Sequence, residues 1–351
     1  MHPYSKLPAR QYWRGASARW ARRDFAGIYS PKFPITRETR IATAGSCFAQ
    51  HVSKSLRKRG YHFLDLEPPP ALLPRDLHAD FGYGLYSARY GNVYTTRQLL
   101  QLLAAAEGSH VVDEVWETGA RFYDPLRPSI EPNGFGSTEE VLALRQAHLA
   151  AVRRLTRQAE VFVFTLGLTE VWCNKASGLA YPSCPGTVAG TFDGELHAFQ
   201  NLRFSEVLRD MLGVIRHWKK INKGIQFLLT VSPVPLVATA ESTHVVASTT
   251  YSKSVLRAVA GELCNRFDFV DYFPSYELVT SHLSKGSAYA ADGRTIQPGA
   301  VDEVMRCFFA AHGDEPSAEL IQAPAPASED ETIANEMRVV CDEATLDNYT
   351  S

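Results

Sequence analysis

Six cysteines in 351 residues form no CxxC pair. Cys47, Cys173, Cys184, Cys264, Cys307 and Cys341 follow no regular spacing, which excludes a disulfide framework and a zinc site. No stretch approaches the roughly 20 apolar residues of a bilayer span. The N-terminus carries arginines and tryptophans without an apolar core, so it does not read as a secretory signal, and a reducing cytoplasm is the expected compartment. A formal net charge of −2 supplies no field toward nucleic acid or an anionic membrane. Neither GxxxxGK[ST] nor GxGxxG occurs, and His197 with Asp193 and Glu195 is too local a grouping for a metal. No cofactor and no metal are expected.

What is present is an ordinary apolar fraction, 45%, enough for a sizeable core. Arg40–Ala44 reads as a strand, broken at Gly45. Phe48, Val52 and Leu56 then recur at helical spacing up to Gly60. Helices are predicted over 96–106, 137–159, 203–220 and 252–266. The runs 161–166 and 225–231 are unbroken and apolar, as buried parallel strands are, and 267–272 adds a further strand. Strands alternating with helices imply an α/β fold, a three-layer α/β/α sandwich around a central parallel sheet. Residues 1–39 read as an amphipathic extension packed on the core and 40–311 as the main domain. Residues 312–351 read as an acidic, Pro/Ala-rich flexible tail beginning its bias near Gln322.

Ligands of open parallel sheets bind outside the carboxyl ends of strands. Three strand ends here carry polar residues: Gly45-Ser46-Cys47, Gly167-Leu-Thr169-Glu170 and Ser232-Pro-Val-Pro235. Ser46, between a strand and a helix, is the candidate nucleophile, its hydroxyl expected to be exposed at the rim of the sheet, since nearby backbone N–H groups and the helix dipole favour an oxyanion. The same position suits a plain helix-capping serine. Cys47 is a second nucleophile candidate, although the residue beside Ser46 more often points into the core. A serine nucleophile needs a base. His244, in the polar loop after the third strand, is the first candidate, with His282 in reserve; His51 is expected to face away from Ser46.

Gly45-Ser-Cys-Phe-Ala49, Tyr90-Gly-Asn-Val-Tyr94, Thr165-Leu-Gly-Leu-Thr-Glu-Val-Trp172, Val231-Ser-Pro-Val-Pro-Leu236, Tyr251-Ser-Lys-Ser-Val-Leu-Arg257 and Tyr272-Phe-Pro-Ser-Tyr-Glu277 together resemble the GSCFA family. The likeness extends over about residues 3–311. Members look like relatives of the SGNH, or GDSL-like, hydrolases, bacterial esterases and acyltransferases of flavodoxin-like architecture, many acting on carbohydrate esters. The resemblance implies Ser46 as nucleophile with its own N–H as one oxyanion donor. Gly91 would be a second donor, Asn92 would add a side-chain N–H, and Thr169 and Trp172 would be substrate contacts. Glu170 or Asp292 would orient His244. Two departures stand out. Gly167-Leu-Thr-Glu170 replaces G-x-N-D, and Gln297 stands near where the D-x-x-H histidine belongs. Either His244 has taken that role or hydrolysis is impaired. The expectation is a serine esterase or O-acyltransferase acting on an acylated carbohydrate or surface polysaccharide. The alternative is a non-catalytic glycan- or protein-binding module, with Trp172, Tyr181 and Tyr251 as a stacking platform.

Overall fold

Three short strand segments buried on both faces decide the architecture. The computed structural model describes residues 2–314 and 339–349. In chain order its helices are α1 (Trp13–Trp20), α2 (Phe48–Lys58), α3 (Thr96–Ala106), α4 (Thr138–Gln158), α5 (Phe204–Ile221), α6 (Val245–Arg266), α7 (Ser275–Thr280) and α8 (Pro298–Ala311). The strands are β1 (Ile41–Gly45), β2 (Trp116–Thr118), β3 (Arg121–Tyr123), β4 (Val161–Leu166), β5 (Glu170–Asn174), β6 (Ala180–Tyr181), β7 (His197–Asn201), β8 (Gln226–Val231) and β9 (Val270–Tyr272). The central sheet runs β1-β4-β8-β9, every pairing parallel.

Successive side chains of a strand point to opposite faces. Ala42, Ala44, Phe162, Phe164, Phe227 and Leu229 therefore pack on α3, α4, α5 and α6. Ile41, Val161, Val163 and Leu228 face α2, α7 and α8 on the other side. The result is the three-layer α/β/α sandwich expected from the sequence. Tyr29, Phe33 and Ile35 are buried in that second layer, so the N-terminal stretch covers the core rather than trailing from it.

Three elements differ from the sequence reading. β5, β6 and β7 form a separate antiparallel sheet, so Glu170 opens a strand instead of lying in a loop. Helix α6 begins at Val245, seven residues before the predicted start, because His244 caps it: its Nδ1 accepts from the Val246 N–H at 3.2 Å. The strand expected over 267–272 shrinks to Val270–Tyr272. Of the tail expected to be flexible, residues 315–338 lie outside the described residues, whereas 339–349 are seated against the carboxyl edge of the central sheet.

Candidate active site

The chain leaves β1 through Gly45 at φ +141°, where a Cβ would stand 2.4 Å from the Thr165 carbonyl oxygen. Only glycine tolerates both the dihedral and the approach. Ser46 follows, then α2 begins with Cys47 as its cap residue. The segment before α3 lies across these strand ends. Val93 N–H donates to Gly45 O at 2.9 Å, and Tyr94 O accepts from the N–H groups of Gly167 and Leu168 at 3.1 and 3.0 Å. Gly167 is tight for a different reason: a Cβ there would meet Ser46 Cβ at 2.9 Å. Strand ends of β1 and β4 and the Tyr90–Tyr94 motif thus meet at Ser46.

Ser46 is buried, 3% exposed, and its hydroxyl has no hydrogen-bond partner among the described residues. It therefore does not cap α2, which removes the structural reading open to it. Two corrections follow. The hydroxyl is not presented to solvent at an open rim. Its own N–H is not free to hold an oxyanion, because it donates to Thr165 O at 3.1 Å, continuing the β1–β4 ladder.

Asn92 is buried and central. Its Oδ1 accepts from Tyr86 Oη at 2.5 Å and from Gln50 Nε2 at 3.2 Å, and Tyr86 Oη also reaches Ser46 O at 3.1 Å. Gly91, at φ +65°, turns the chain so that Asn92 points inward. The other predicted residues gather less well. Thr169 gives its hydroxyl to Asn201 Oδ1 at 2.7 Å and its N–H to Ser252 Oγ at 3.0 Å, so it has no donor left for a substrate. Glu170 accepts from Thr239 Oγ1 at 2.6 Å and Ala240 N–H at 3.3 Å, and burial raises its carboxyl above the usual range. His244 is exposed at the start of α6, and no hydrogen bond joins it to Ser46 or Glu170 among the described residues. Asp292 is exposed and spends both oxygens on Arg294 and Thr295 within its own turn. His51 stacks edge-on against Phe48 and burial lowers it to about 4, while His282 lies flat against Trp13. No Ser–His–acid relay is assembled among the described residues.

Two groups that the sequence reading missed stand in their place. Lys253, from the Tyr251–Arg257 motif, is 1% exposed, and its Nζ donates to Gly167 O at 2.7 Å. Burial brings its ammonium down to about 8, against the pull of Glu343 and Cys47. The second is the seated segment 339–349. Gln50 holds both backbone groups of Val340, accepting from its N–H at 3.0 Å and donating to its C=O at 2.7 Å. Asn92 Nδ2 reaches the same carbonyl at 3.2 Å and Asp342 Oδ2 at 2.8 Å. Tyr94 Oη accepts from Asp342 N–H at 3.2 Å and lies 3.6 Å from Cys341 Sγ. Arg294 sits 3.6 Å from the same sulfur and 3.7 Å from Glu343 Oε2. A lysine at the apolar-periodic interior of a helix, and an apolar pair (Val339, Val340) after an acidic linker, were the available signals.

Beside this cluster lies a mainly apolar cavity of about 240 Å³, walled by Leu168, Val171, Trp172, Phe199 and Leu236, with Glu170 and Glu343 at its polar side. Tyr181 also lines it, but its hydroxyl is committed to Glu114 at 2.6 Å. Tyr251 stands exposed on α6 away from the lining, so the three-aromatic platform does not form.

A parallel α/β/α sandwich with its polar cluster at the carboxyl edge, entered by a Gly-Ser turn, is the class that fold and site define. Residues 40–308 match the GSCFA family, and the chain belongs to it. No curated protein matches it. The matched span ends before residue 339, so the segment over Asn92 lies outside it.

Proposed function

We propose that the protein is a serine-dependent carboxylic-ester hydrolase or O-acyltransferase, related to the SGNH hydrolases, with Ser46 as nucleophile and an acylated carbohydrate as substrate. One observation carries this reading: a buried serine hydroxyl with no partner among the described residues, between a strand end and a helix and beside Gly167, whose carbonyl accepts from the Lys253 ammonium. Lys253 is the candidate base, in the manner of Ser–Lys enzymes. Gln50 Nε2 and Asn92 Nδ2, which converge on the Val340 carbonyl at 2.7 and 3.2 Å, are the candidate oxyanion donors. The cavity beside Trp172 would take the acyl or sugar portion, and residues 340–343 must move for a substrate to reach Asn92.

Gln50's two-way pairing with a backbone amide favours a second reading, a non-catalytic module that binds an extended peptide or a glycan at the same edge.

Release of acetate from p-nitrophenyl acetate and from an acetylated glycan separates the two. The enzyme reading expects turnover that Ser46→Ala lowers by at least about 100-fold. Absence of turnover in the wild type, with glycan or peptide binding that survives Ser46→Ala, supports the module and rejects the enzyme.

A further inference from the structure

Cys341 arrives from the seated segment and Cys47 from the start of α2, nearly 300 positions apart in sequence. Gln50, about one turn along α2 from Cys47, holds both backbone groups of Val340, the residue before Cys341, so the two cysteines are brought to one place, and both are free thiols. Neither belongs to the acyl-transfer chemistry above. Around Cys341 Sγ stand Tyr94 Oη and Arg294 Nη2, each at 3.6 Å, a hydroxyl and a guanidinium aimed at one sulfur. Cys341 is half-buried, whereas Cys47 is buried at 6% exposure. That asymmetry orders the chemistry: a small oxidant reaches Cys341 first, and Cys47 waits behind it as the resolving thiol.

We propose that Cys47 and Cys341 are a reversible redox pair whose disulfide fastens the 339–349 segment over the Ser46 site, with a hydroperoxide as the oxidant. The Cys341 thiolate attacks the O–O bond; an S–O bond forms, the O–O bond breaks, and hydroxide leaves to take a proton as water. The Cys47 thiol then attacks the sulfenic sulfur. An S–S bond forms, the S–O bond breaks, and the departing oxygen leaves as water with the Cys47 proton. Two thiols and one hydrogen peroxide yield one disulfide and two waters, and a dithiol reductant reverses it. The Cys47 thiol, together with Tyr94 and Arg294, favours the Cys341 thiolate that the first step needs. The electron balance does not involve Ser46, so the pair stands whether or not Ser46 is a nucleophile.

Trypsin separates the two cysteines cleanly, into peptides 41–54 and 339–351, each with one cysteine. The full-length protein is treated with hydrogen peroxide, quenched under denaturing alkylation and digested. The expected product is a single cross-linked species joining these two peptides, 2 Da lighter than their sum and lost on dithiothreitol treatment. Its formation is expected to be at least about tenfold faster than modification of Cys184 or Cys307. In Cys47→Ser the cross-link disappears and Cys341 is trapped as a dimedone adduct. Separate alkylation of Cys47 and Cys341 in oxidised wild type, or a dominant cross-link to any other cysteine, overturns the proposal. The wild-type experiment stands even if a variant fails to fold.

Discussion

The side-chain amide of Gln50 faces the backbone of Val340 like a neighbouring strand, taking its N–H and feeding its C=O across 290 positions of sequence. Gln50 is wholly buried, and its remaining partners are Asn92 and Tyr86. Buried amides are costly when unpaired. A seat built from two such amides, with Asp342 buried upon it, is specified rather than incidental.

Gln50→Ala removes both bonds to Val340 while leaving Asn92 in place. Amide exchange across residues 340–347 should then rise by roughly tenfold or more, since each lost bond is worth about 1 kcal/mol. Unchanged protection would show that the segment is held by other contacts.

Cys341 offers a pH signature. Cys47, followed by Tyr94 and Arg294, holds its thiol down at about 5, against burial. A depressed pKa means the thiolate is present above that value, so iodoacetamide should label Cys341 at a rate that levels off above about pH 6. Arg294→Met should shift the rise upward. Labelling that climbs only toward pH 9, as for an ordinary thiol, would contradict the arrangement.

Lys253 predicts the alkaline side of the ester reaction. Burial lowers its ammonium to about 8, so the free amine appears as pH passes that value. Ester cleavage should rise through about pH 8 and then flatten. Lys253→Met should lose about 100-fold or more and the inflection with it. A profile unchanged in Lys253→Met would remove lysine from the mechanism.

Glu67 ties the loop ahead of Asn92 to α4, its Oε2 accepting from His148 Nδ1 and from Arg89 N–H, each at 2.6 Å. Burial opposes the charge, but His148 and Arg127 outweigh it and hold the carboxyl down at about 2. The sign is that of a depressed acid: its stabilisation is complete above the unfolded value of 4.5 and is lost as pH falls through about 2. Glu67→Gln should destabilise the fold at neutral pH and flatten the acid limb of urea unfolding between those values. An acid limb identical to the wild type would refute the pairing.

Periodicity made the layers of this fold legible, because β1, β4 and β8 are buried on both faces and read as unbroken apolar runs. The antiparallel β5–β7 sheet was not legible. Its strands are short and interrupted by polar residues such as Glu170 and Asn174, which resemble loop chemistry. Ser46 was legible as a candidate because motif and strand end coincide there, and Asn92 only through the resemblance carried by Tyr90–Tyr94. Lys253 was not, since a lysine in a helix ordinarily reads as solvated. Cys341, Asp342 and Glu343 were hidden by their place after an acidic Pro/Ala stretch, where composition speaks for disorder and long-range pairing leaves no local mark. His244 misled for the opposite reason: a histidine in a polar segment suits a catalytic loop and a helix cap equally.

Fluorophosphonate labelling with peptide mapping tests the reactivity of Ser46 directly. An adduct on Ser46 within residues 41–54 is predicted, absent from Ser46→Ala and formed faster in Asp342→Ala, which frees the 339–349 segment from Asn92 Nδ2 and leaves both candidate oxyanion donors in place. If Ser46 stays unmodified even in that loosened variant while the fold is intact, it is no nucleophile and the catalytic account is wrong.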